Sequence, residues 1–192
     1  MNATALKRAK RAARAQVLAQ RDALSPADRA LMGERIVERF LALPEMQGVR
    51  IAMAFWSFGS EVPTDPLIAS LAEVGVTVAL PRIVDGQIEP RTWAPGEPVT
   101  QTRFGALEPE GGRLLDAAQI DVVATPGVVF DRAGGRVGYG GGFYDRFFPR
   151  TPALRVAVAF ALQVVEGPVP GASFDLPVEL IVTESETIRC SG

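Results

Sequence analysis

The segment Arg136-Val-Gly-Tyr-Gly-Gly-Gly-Phe-Tyr-Asp145 follows a predicted strand and leads into a predicted helix. The apolar run at residues 120–124 is typical of a buried strand, and residues 142–148 favour a short helix. Between them, three consecutive glycines allow a sharp turn that a Cβ atom would obstruct. A strand that passes through such a loop into a helix is the repeating unit of α/β folds.

The rest of the chain continues this alternation. Other strands are predicted at residues 49–55, 76–80 (ended by Pro81), 87–93 (an edge strand), 154–160 and 180–183 (the last). Helices are predicted at residues 5–23, from Ser25 (N-cap) and Pro26 onward, and at 65–74. We therefore predict an α/β layered fold, a largely parallel sheet flanked by helices, with the N-terminal helices packed on it in a single domain spanning residues 1–192.

Composition excludes several classes of function. The chain has 192 residues, a net charge of −2, no histidine and one cysteine. The charge argues against a general nucleic-acid binder. The lack of histidine excludes Ser-His-Asp triads and histidine-based zinc sites, so a metal would need oxygen ligands, as Mg²⁺ does.

The start of the chain bears on location. It is basic but lacks the apolar run of a signal peptide, and no run is long enough to span a membrane. The lone Cys190 indicates a reducing compartment, so we expect a cytoplasmic protein without a membrane partner. The alanine- and arginine-rich beginning is also compatible with a transit peptide.

The glycine loop is the first candidate binding site. Glycine amides at a helix start suit phosphate oxygens, and Arg136 can pair with a phosphate. Asp145 in the first helical turn could bind Mg²⁺, and Asp175 could be a second ligand. The alternatives are a flexible turn, a carboxylate that favours the helix start, and an ordinary turn residue.

Two further features could contact ligands. Lys10 and Arg14 lie four residues apart on one face of the first helix, either as a phosphate clamp or as a solvated face. Trp56 and Glu61 follow a predicted strand at its carboxyl end, where α/β sheets bind ligands. They could hold a planar, nitrogen-rich ligand by stacking and hydrogen bonds, or Glu61 could be an incidental loop residue.

Taken together, these motifs resemble the 5-formyltetrahydrofolate cyclo-ligase (methenyltetrahydrofolate synthetase) family over nearly the whole chain. The most specific block is Pro126-Gly-Val-Val-Phe-Asp131 with the glycine loop. Weaker matches are Lys10-Arg-Ala-Ala-Arg14 with Arg21-Asp-Ala-Leu-Ser25, Ser60-Glu-Val-Pro-Thr64, Phe104-Gly-Ala-Leu-Glu-Pro109 and Phe174-Asp-Leu-Pro177.

The resemblance implies a sugar-isomerase/CoA-transferase-like fold and an ATP- and Mg²⁺-dependent conversion of 5-formyltetrahydrofolate into 5,10-methenyltetrahydrofolate by a monomer. Catalytic roles would fall to Arg14, Arg136 and Asp145, and Mg²⁺ to Asp145 and Asp175. ATP contacts would be Lys10, Arg11, Arg14, Arg136, Val137, Gly138, Tyr139, Gly140, Gly141, Gly142, Phe143 and Tyr144. Folate contacts would be Trp56, Glu61, Tyr139, Gly140, Gly141, Gly142 and Phe143.

The chain departs from the family pattern at three positions, and none removes a charged group with an expected role. Phe174 stands where many members have histidine, Phe143 replaces a usual tyrosine, and Ala13 replaces a leucine. Two other functions stay open: a different small-molecule activity on the same scaffold, and an RNA-binding module using the basic helix.

Overall fold

The second helix begins where the sequence predicts its cap. A computed structural model of the chain describes residues 2–102 and 105–191. The Ser25 hydroxyl accepts a hydrogen bond from the Asp28 amide at 3.0 Å, which caps the second helix ahead of Pro26. The α-helices within the described ranges are α1 (Ala3–Asp22), α2 (Pro26–Leu41), α3 (Asp65–Glu73) and α4 (Phe143–Phe147).

The strands form one large sheet and two small ones. They are β1 (Ile51–Met53), β2 (Thr77–Val84), β3 (Gln87–Thr92), β4 (Val99–Gln101), β5 (Leu107–Pro109), β6 (Val122–Thr125), β7 (Val129–Asp131), β8 (Arg136–Val137), β9 (Leu154–Val158), β10 (Val164–Val165), β11 (Leu180–Val182) and β12 (Thr187–Arg189). Seven strands form the large sheet in the order β12-β11-β9-β6-β1-β2-β3. Its five central strands are parallel and each edge strand is antiparallel to its neighbour. The predicted fold class is confirmed.

Two strand predictions are wrong. Pro81 does not end β2 but lies inside it, opposite Pro90 of β3. Two prolines can face each other where neither backbone amide is needed for strand pairing. Pro81 lies beyond Ala79, the last residue of β2 that pairs with β1, so β1 needs no amide from Pro81. Residues 180–183 also do not hold the last strand, since β12 follows and pairs with β11.

The glycine loop leaves a small second sheet and not the large one, contrary to the simple strand–loop–helix expectation. This sheet has the order β10-β7-β8, and the loop follows β8 directly. Val17 of α1 shares a core cluster with Val129 and Val137 of this sheet and with Val128, which precedes β7. The helix α1 therefore packs beside the glycine loop, while α2 packs on the large sheet.

The large sheet is covered on both faces. Ile36 and Phe40 of α2 and Leu67 of α3 belong to the core on one face, while Phe147 and Phe148 cover the other. The loops after β1 and β6 both leave the carboxyl edge of this sheet, which places them at the end where such sheets bind ligands. Across residues 2–102 and 105–191, none of the helices combines the length and apolarity needed to cross a bilayer.

Candidate active site

Basic side chains of α1 point into the protein and meet the glycine loop. The Arg14 Nε donates to the Gly138 carbonyl at 2.6 Å, and one turn earlier the Lys10 Nζ lies 2.5 Å from Asp175 Oδ2. The spacing of four residues therefore reflects a shared inward face and not a solvated one. Arg11 is exposed and has no hydrogen bond to another described residue.

The glycine loop has a backbone shape that only glycine adopts easily. Gly140 has φ +104° and Gly142 has φ +65°. A Cβ atom on Gly140 would lie 3.3 Å from Arg14 Nη2, so this guanidinium rests against the loop. The loop is exposed from Tyr139 to Gly141, which leaves its outer surface open to a ligand.

Arg136 lies beneath the loop and does not point out of it. Its side chain is 5% exposed and Nη2 donates to Asp145 Oδ1 at 2.7 Å. The guanidinium also lies over the rings of Tyr144 and Phe148, at 5.9 Å and 5.6 Å. Its Nε has no hydrogen-bond partner among the described residues. The ion pair with Asp145 and the packing on the two rings hold this guanidinium in place beneath the loop.

The helix after the loop contributes less charge than expected. The helix α4 has five residues, and its N-cap is Gly142 in the left-handed conformation. So short a helix has little dipole, because the dipole grows from aligned peptide units. The cationic side chains at this site are Lys10, Arg14 and Arg136, and the charges of Lys10 and Arg136 are offset by ion pairs with Asp175 and Asp145.

The two predicted metal-binding carboxylates are each paired with a cation. Asp145 pairs with Arg136, and Asp175 pairs with Lys10 while accepting from the Ala172 amide at 2.7 Å. One oxygen of each, Asp145 Oδ2 and Asp175 Oδ1, has no hydrogen bond to a described residue. The described residues contain no group of three or more ligating side chains that could hold a metal ion, so a hard cation bound by these carboxylate oxygens would need further ligands from phosphate or water.

The remaining loop residues differ in what they can offer a ligand. Val137 is buried in the core of the small sheet, so only its backbone could contact ATP. Phe143 is half-buried beneath Arg146, whose guanidinium lies 5.3 Å from the ring centroid. The Tyr144 hydroxyl is buried without a partner among the described residues, and burial raises its pKa.

Glu61 is buried with one carboxylate oxygen unused. It is 6% exposed, Oε2 accepts from the Phe58 amide at 3.0 Å, and Oε1 has no described partner. Burial raises the pKa of Glu61 to about 7. The hydrogen bond from the Phe58 amide and the charge of Arg21 lower this pKa, but their effect is smaller than that of burial. Such a carboxylate is ready to accept hydrogen bonds from a ligand, so the incidental-loop alternative fits poorly.

The loop that carries Glu61 is held rigidly after β1. The Ser57 amide donates to Thr64 Oγ1 at 2.9 Å, and the Thr64 hydroxyl donates to the Phe55 carbonyl at 2.5 Å. Trp56 is buried, donates from Nε1 to Asp65 Oδ1 at 3.0 Å, and meets Trp93 edge to face at 4.8 Å. Trp56 therefore forms a fixed apolar wall five residues before Glu61.

Sequence reasoning missed Arg21. Its Nε donates to Ser60 Oγ at 3.0 Å and its Nη2 donates to the Tyr139 hydroxyl at 2.5 Å. It follows Arg14 by seven residues, two helical turns, so the inward-facing stripe of Lys10 and Arg14 could have revealed it.

The Pro126–Asp131 motif has a structural role in the described chain. Asp131 accepts hydrogen bonds from the amides of Ala133, Gly135 and Val169 at 2.8–3.0 Å, which fixes the turn that leads into β8. The buried Gln163 donates to the carbonyls of Gly127 and Val128 at 2.9 Å and 3.1 Å. Both residues therefore position the glycine loop from below. Phe104, which begins another of the resembling motifs, lies outside the described residues.

Comparison with known proteins agrees with this geometry. The pattern of the 5-formyltetrahydrofolate cyclo-ligase family matches residues 6–184. The chain is 31% identical over 175 residues to the 5-formyltetrahydrofolate cyclo-ligase of Escherichia coli K12, covering 87% of this chain and 96% of that protein. It is 30% identical over 158 residues to the Haemophilus influenzae enzyme of the same name, covering 76% and 81%.

Solved structures agree as well. The NMR structure of Aquifex aeolicus 5,10-methenyltetrahydrofolate synthetase superposes with a TM-score of 0.84 at 31% identity, covering 95% of this chain and 93% of that one. The Mycoplasma pneumoniae 5,10-methenyltetrahydrofolate synthetase shares the fold, with a TM-score of 0.73 at 20% identity over 91% and 98% of the two chains. This chain belongs to the 5-formyltetrahydrofolate cyclo-ligase family.

Proposed function

We propose that this protein converts 5-formyltetrahydrofolate and ATP into 5,10-methenyltetrahydrofolate, ADP and phosphate. The observation that carries the proposal is the contact between two unlike binding surfaces. The cation-lined glycine loop meets, at Tyr139, the turn that holds the buried Glu61, with the rings of Tyr139 and Phe58 5.0 Å apart. A phosphate donor and a nitrogen-rich ring could therefore bind side by side.

The glycine loop and the inward face of α1 are proposed to bind ATP. Amides of the exposed stretch from Tyr139 to Gly141 can donate to phosphate oxygens, and Arg14 already lies against the loop. Lys10 and Arg136 add positive charge from two sides. Mg²⁺, when bound, would be held by Asp145 and Asp175 and would neutralise further phosphate charge.

The folate is proposed to bind between Glu61 and the glycine loop. Glu61 Oε1 can accept a hydrogen bond from the ring nitrogens of the pterin, and Trp56 offers an apolar wall. A buried carboxylate that stays unpaired without its ligand favours a substrate with matching donors. This argument favours folate over another small molecule on the same scaffold.

The chemistry then needs mainly positioning and charge neutralisation. The formyl oxygen attacks the γ-phosphorus of ATP and ADP leaves, which turns a poor carbonyl electrophile into an iminium phosphate. N10 attacks the formyl carbon and loses its proton, and the C–O bond breaks as phosphate departs. Arg14 and Arg136 offset the charge that develops on the transferred group. No protein nucleophile is required, consistent with a chain without histidine.

A direct assay tests the function. Protein, Mg-ATP and saturating 5-formyltetrahydrofolate are mixed at mildly acidic pH, where the methenyl product persists, and the ultraviolet absorbance of that product is followed against a mixture without protein. No absorbance change would refute the proposal. Calorimetry separates the alternative: intact ATP binding without 5-formyltetrahydrofolate binding would indicate a different substrate.

We further propose that residues 1–192 act as one domain and as a cytoplasmic monomer. The proposal of one domain is supported by α1, which packs on the small sheet that carries the glycine loop. Sedimentation at assay concentration tests the oligomeric state. An RNA-binding role fits less well, because Lys10, Arg14 and Arg21 face inward; salt-sensitive RNA binding that ATP does not compete away would support it.

A further inference from the structure

A buried arginine outside the proposed chemistry links the two halves of the site. Arg21, in the last turn of α1, is 2% exposed. It forms no ion pair with a described carboxylate, yet burying a guanidinium without compensation is costly. Its compensation is a pair of hydroxyls, Ser60 and Tyr139, and the nearby charge of Glu61.

The two hydroxyls belong to the two proposed substrate loops. Ser60 precedes Glu61 and donates in turn to Asp22 of α1. Tyr139 lies in the glycine loop, two residues after Val137 of β8. One guanidinium therefore fixes the turn that holds the folate carboxylate and the loop that holds the nucleotide, with two donors in a rigid fork.

The glycine loop depends on such outside contacts. Its glycines at positions 140 and 142 have positive φ, and its carbonyls at Gly138 and Gly141 accept from Arg14 and Arg146. Those contacts hold its backbone, whereas the Arg21–Tyr139 hydrogen bond reaches across to the Glu61 turn. The packing of Tyr139 on Phe58 adds a second contact between the same two segments.

We propose that Arg21 is a positioning residue that couples the two binding sites, so that nucleotide bound on the glycine loop increases the affinity for folate and folate increases the affinity for nucleotide. Nucleotide that orders the glycine loop fixes Tyr139, and Arg21 transmits that order to Ser60 and Glu61. By linkage, the coupling is the same in both directions, and couplings of this kind are about 5–150-fold. The proposal rests on the proposed function, since it concerns the same two ligands.

The test measures coupling and not affinity alone. Calorimetry gives the Kd of 5-formyltetrahydrofolate without nucleotide and with saturating magnesium and a non-hydrolysable ATP analogue, and the ratio of the two is the coupling factor. A uniform loss of affinity cancels in this ratio. We expect about 10-fold coupling in the wild type, within the usual range.

The variants separate coupling from folding. Arg21→Lys keeps the positive charge but replaces the guanidinium, which donates to both Ser60 and Tyr139, by a single ammonium. Tyr139→Phe removes the hydroxyl that accepts from Arg21. Both should reduce the coupling factor to below about 2-fold, the lower edge of a measurable effect. Arg155→Met is the control, because Arg155 pairs with Glu179 at 3.0 Å near the amino end of β9 and should retain wild-type coupling.

Four outcomes contradict these ideas in different ways. Wild-type coupling of 1, or unchanged coupling in both Arg21→Lys and Tyr139→Phe, overturns the role of Arg21. Loss of coupling in Arg155→Met as well would also overturn it, because the effect would then be general. Absence of 5-formyltetrahydrofolate binding in the wild type contradicts the proposed function itself.

Discussion

Glu61→Gln should stabilise the free protein at alkaline pH while removing folate binding. Glu61 is buried with Oε1 unpaired, and its pKa is raised from 4.5 to about 7. The unfolded chain therefore loses this proton at lower pH than the folded one. The charged carboxylate costs folding free energy that is fully present above pH 7 and disappears below about pH 4.5.

The magnitude follows from linkage. Each pKa unit corresponds to about 1.4 kcal/mol, so the charged Glu61 destabilises the folded protein by about 3 kcal/mol at pH 8 and about 1 kcal/mol at pH 5. Glutamine is neutral at both pH values and removes this dependence. Its amide nitrogen brings its own burial cost, but that cost does not vary with pH. The stability difference between variant and wild type should therefore grow by about 2 kcal/mol from pH 5 to pH 8.

The assay is thermal or urea unfolding at the two pH values, and for a chain of this size about 2 kcal/mol shifts Tm by ~4–8 °C. The chain has no histidine, so no imidazole titrates in this window. Glu186→Gln is the control: Arg132 lowers the pKa of Glu186 from its ordinary 4.5, so this carboxylate is charged at both pH values and its replacement should change stability nearly equally at pH 5 and pH 8. A Glu61→Gln effect that is equal at pH 5 and pH 8 would refute the reasoning.

Three further predictions concern ligands. Asp145→Ala and Arg14→Ala should each lower turnover by about 10²-fold or more, the scale of losing one electrostatic group, and wild-type rates for both would contradict the proposed site. Gly140→Ala should weaken ATP binding, measured by calorimetry, more than Gly167→Ala does. Both glycines have positive φ, but only at Gly140 would a Cβ atom lie 3.3 Å from Arg14 Nη2. Equal losses of affinity would point to backbone strain alone. Folate affinity should fall by up to about tenfold per pH unit below pH 7 as Glu61 takes up its proton, and a flat pH profile in calorimetry would contradict this.

Much of the framework could be predicted from local sequence signals. The cap of α2, the buried parallel strands and the α/β fold class rest on hydrophobic runs and cap residues, which act over a few positions. The family could be recognised because the glycine loop and its neighbouring motifs recur in a fixed order, and family membership is confirmed.

The errors arise where the local pattern is too short to show pairing. The strands β8 and β12 have two and three residues, too few for a periodic pattern, and exist because each pairs with the preceding strand, β7 or β11. Pro81 indicates a strand end in the sequence because proline lacks the amide that pairs strands. The local pattern does not show that Pro90 of the next strand lies opposite it. The hydrogen bonds of Arg21 join it to Ser60, 39 residues away, and to Tyr139, 118 residues away. Local spacing in the sequence therefore could not identify these two partners. The expected ligand roles of the site residues stay predictions.

The pairing of Lys10 with Asp175 joins residues 165 positions apart. Bringing together residues so far apart in the chain costs conformational entropy, and such long-range contacts form late in folding. The nucleotide surface should therefore be among the last parts to assemble. A partly synthesised chain would contain the basic helix and the glycine loop but lack one wall of the site. Nucleotide should then bind only the completed fold, and its presence should slow unfolding and proteolysis of the whole chain.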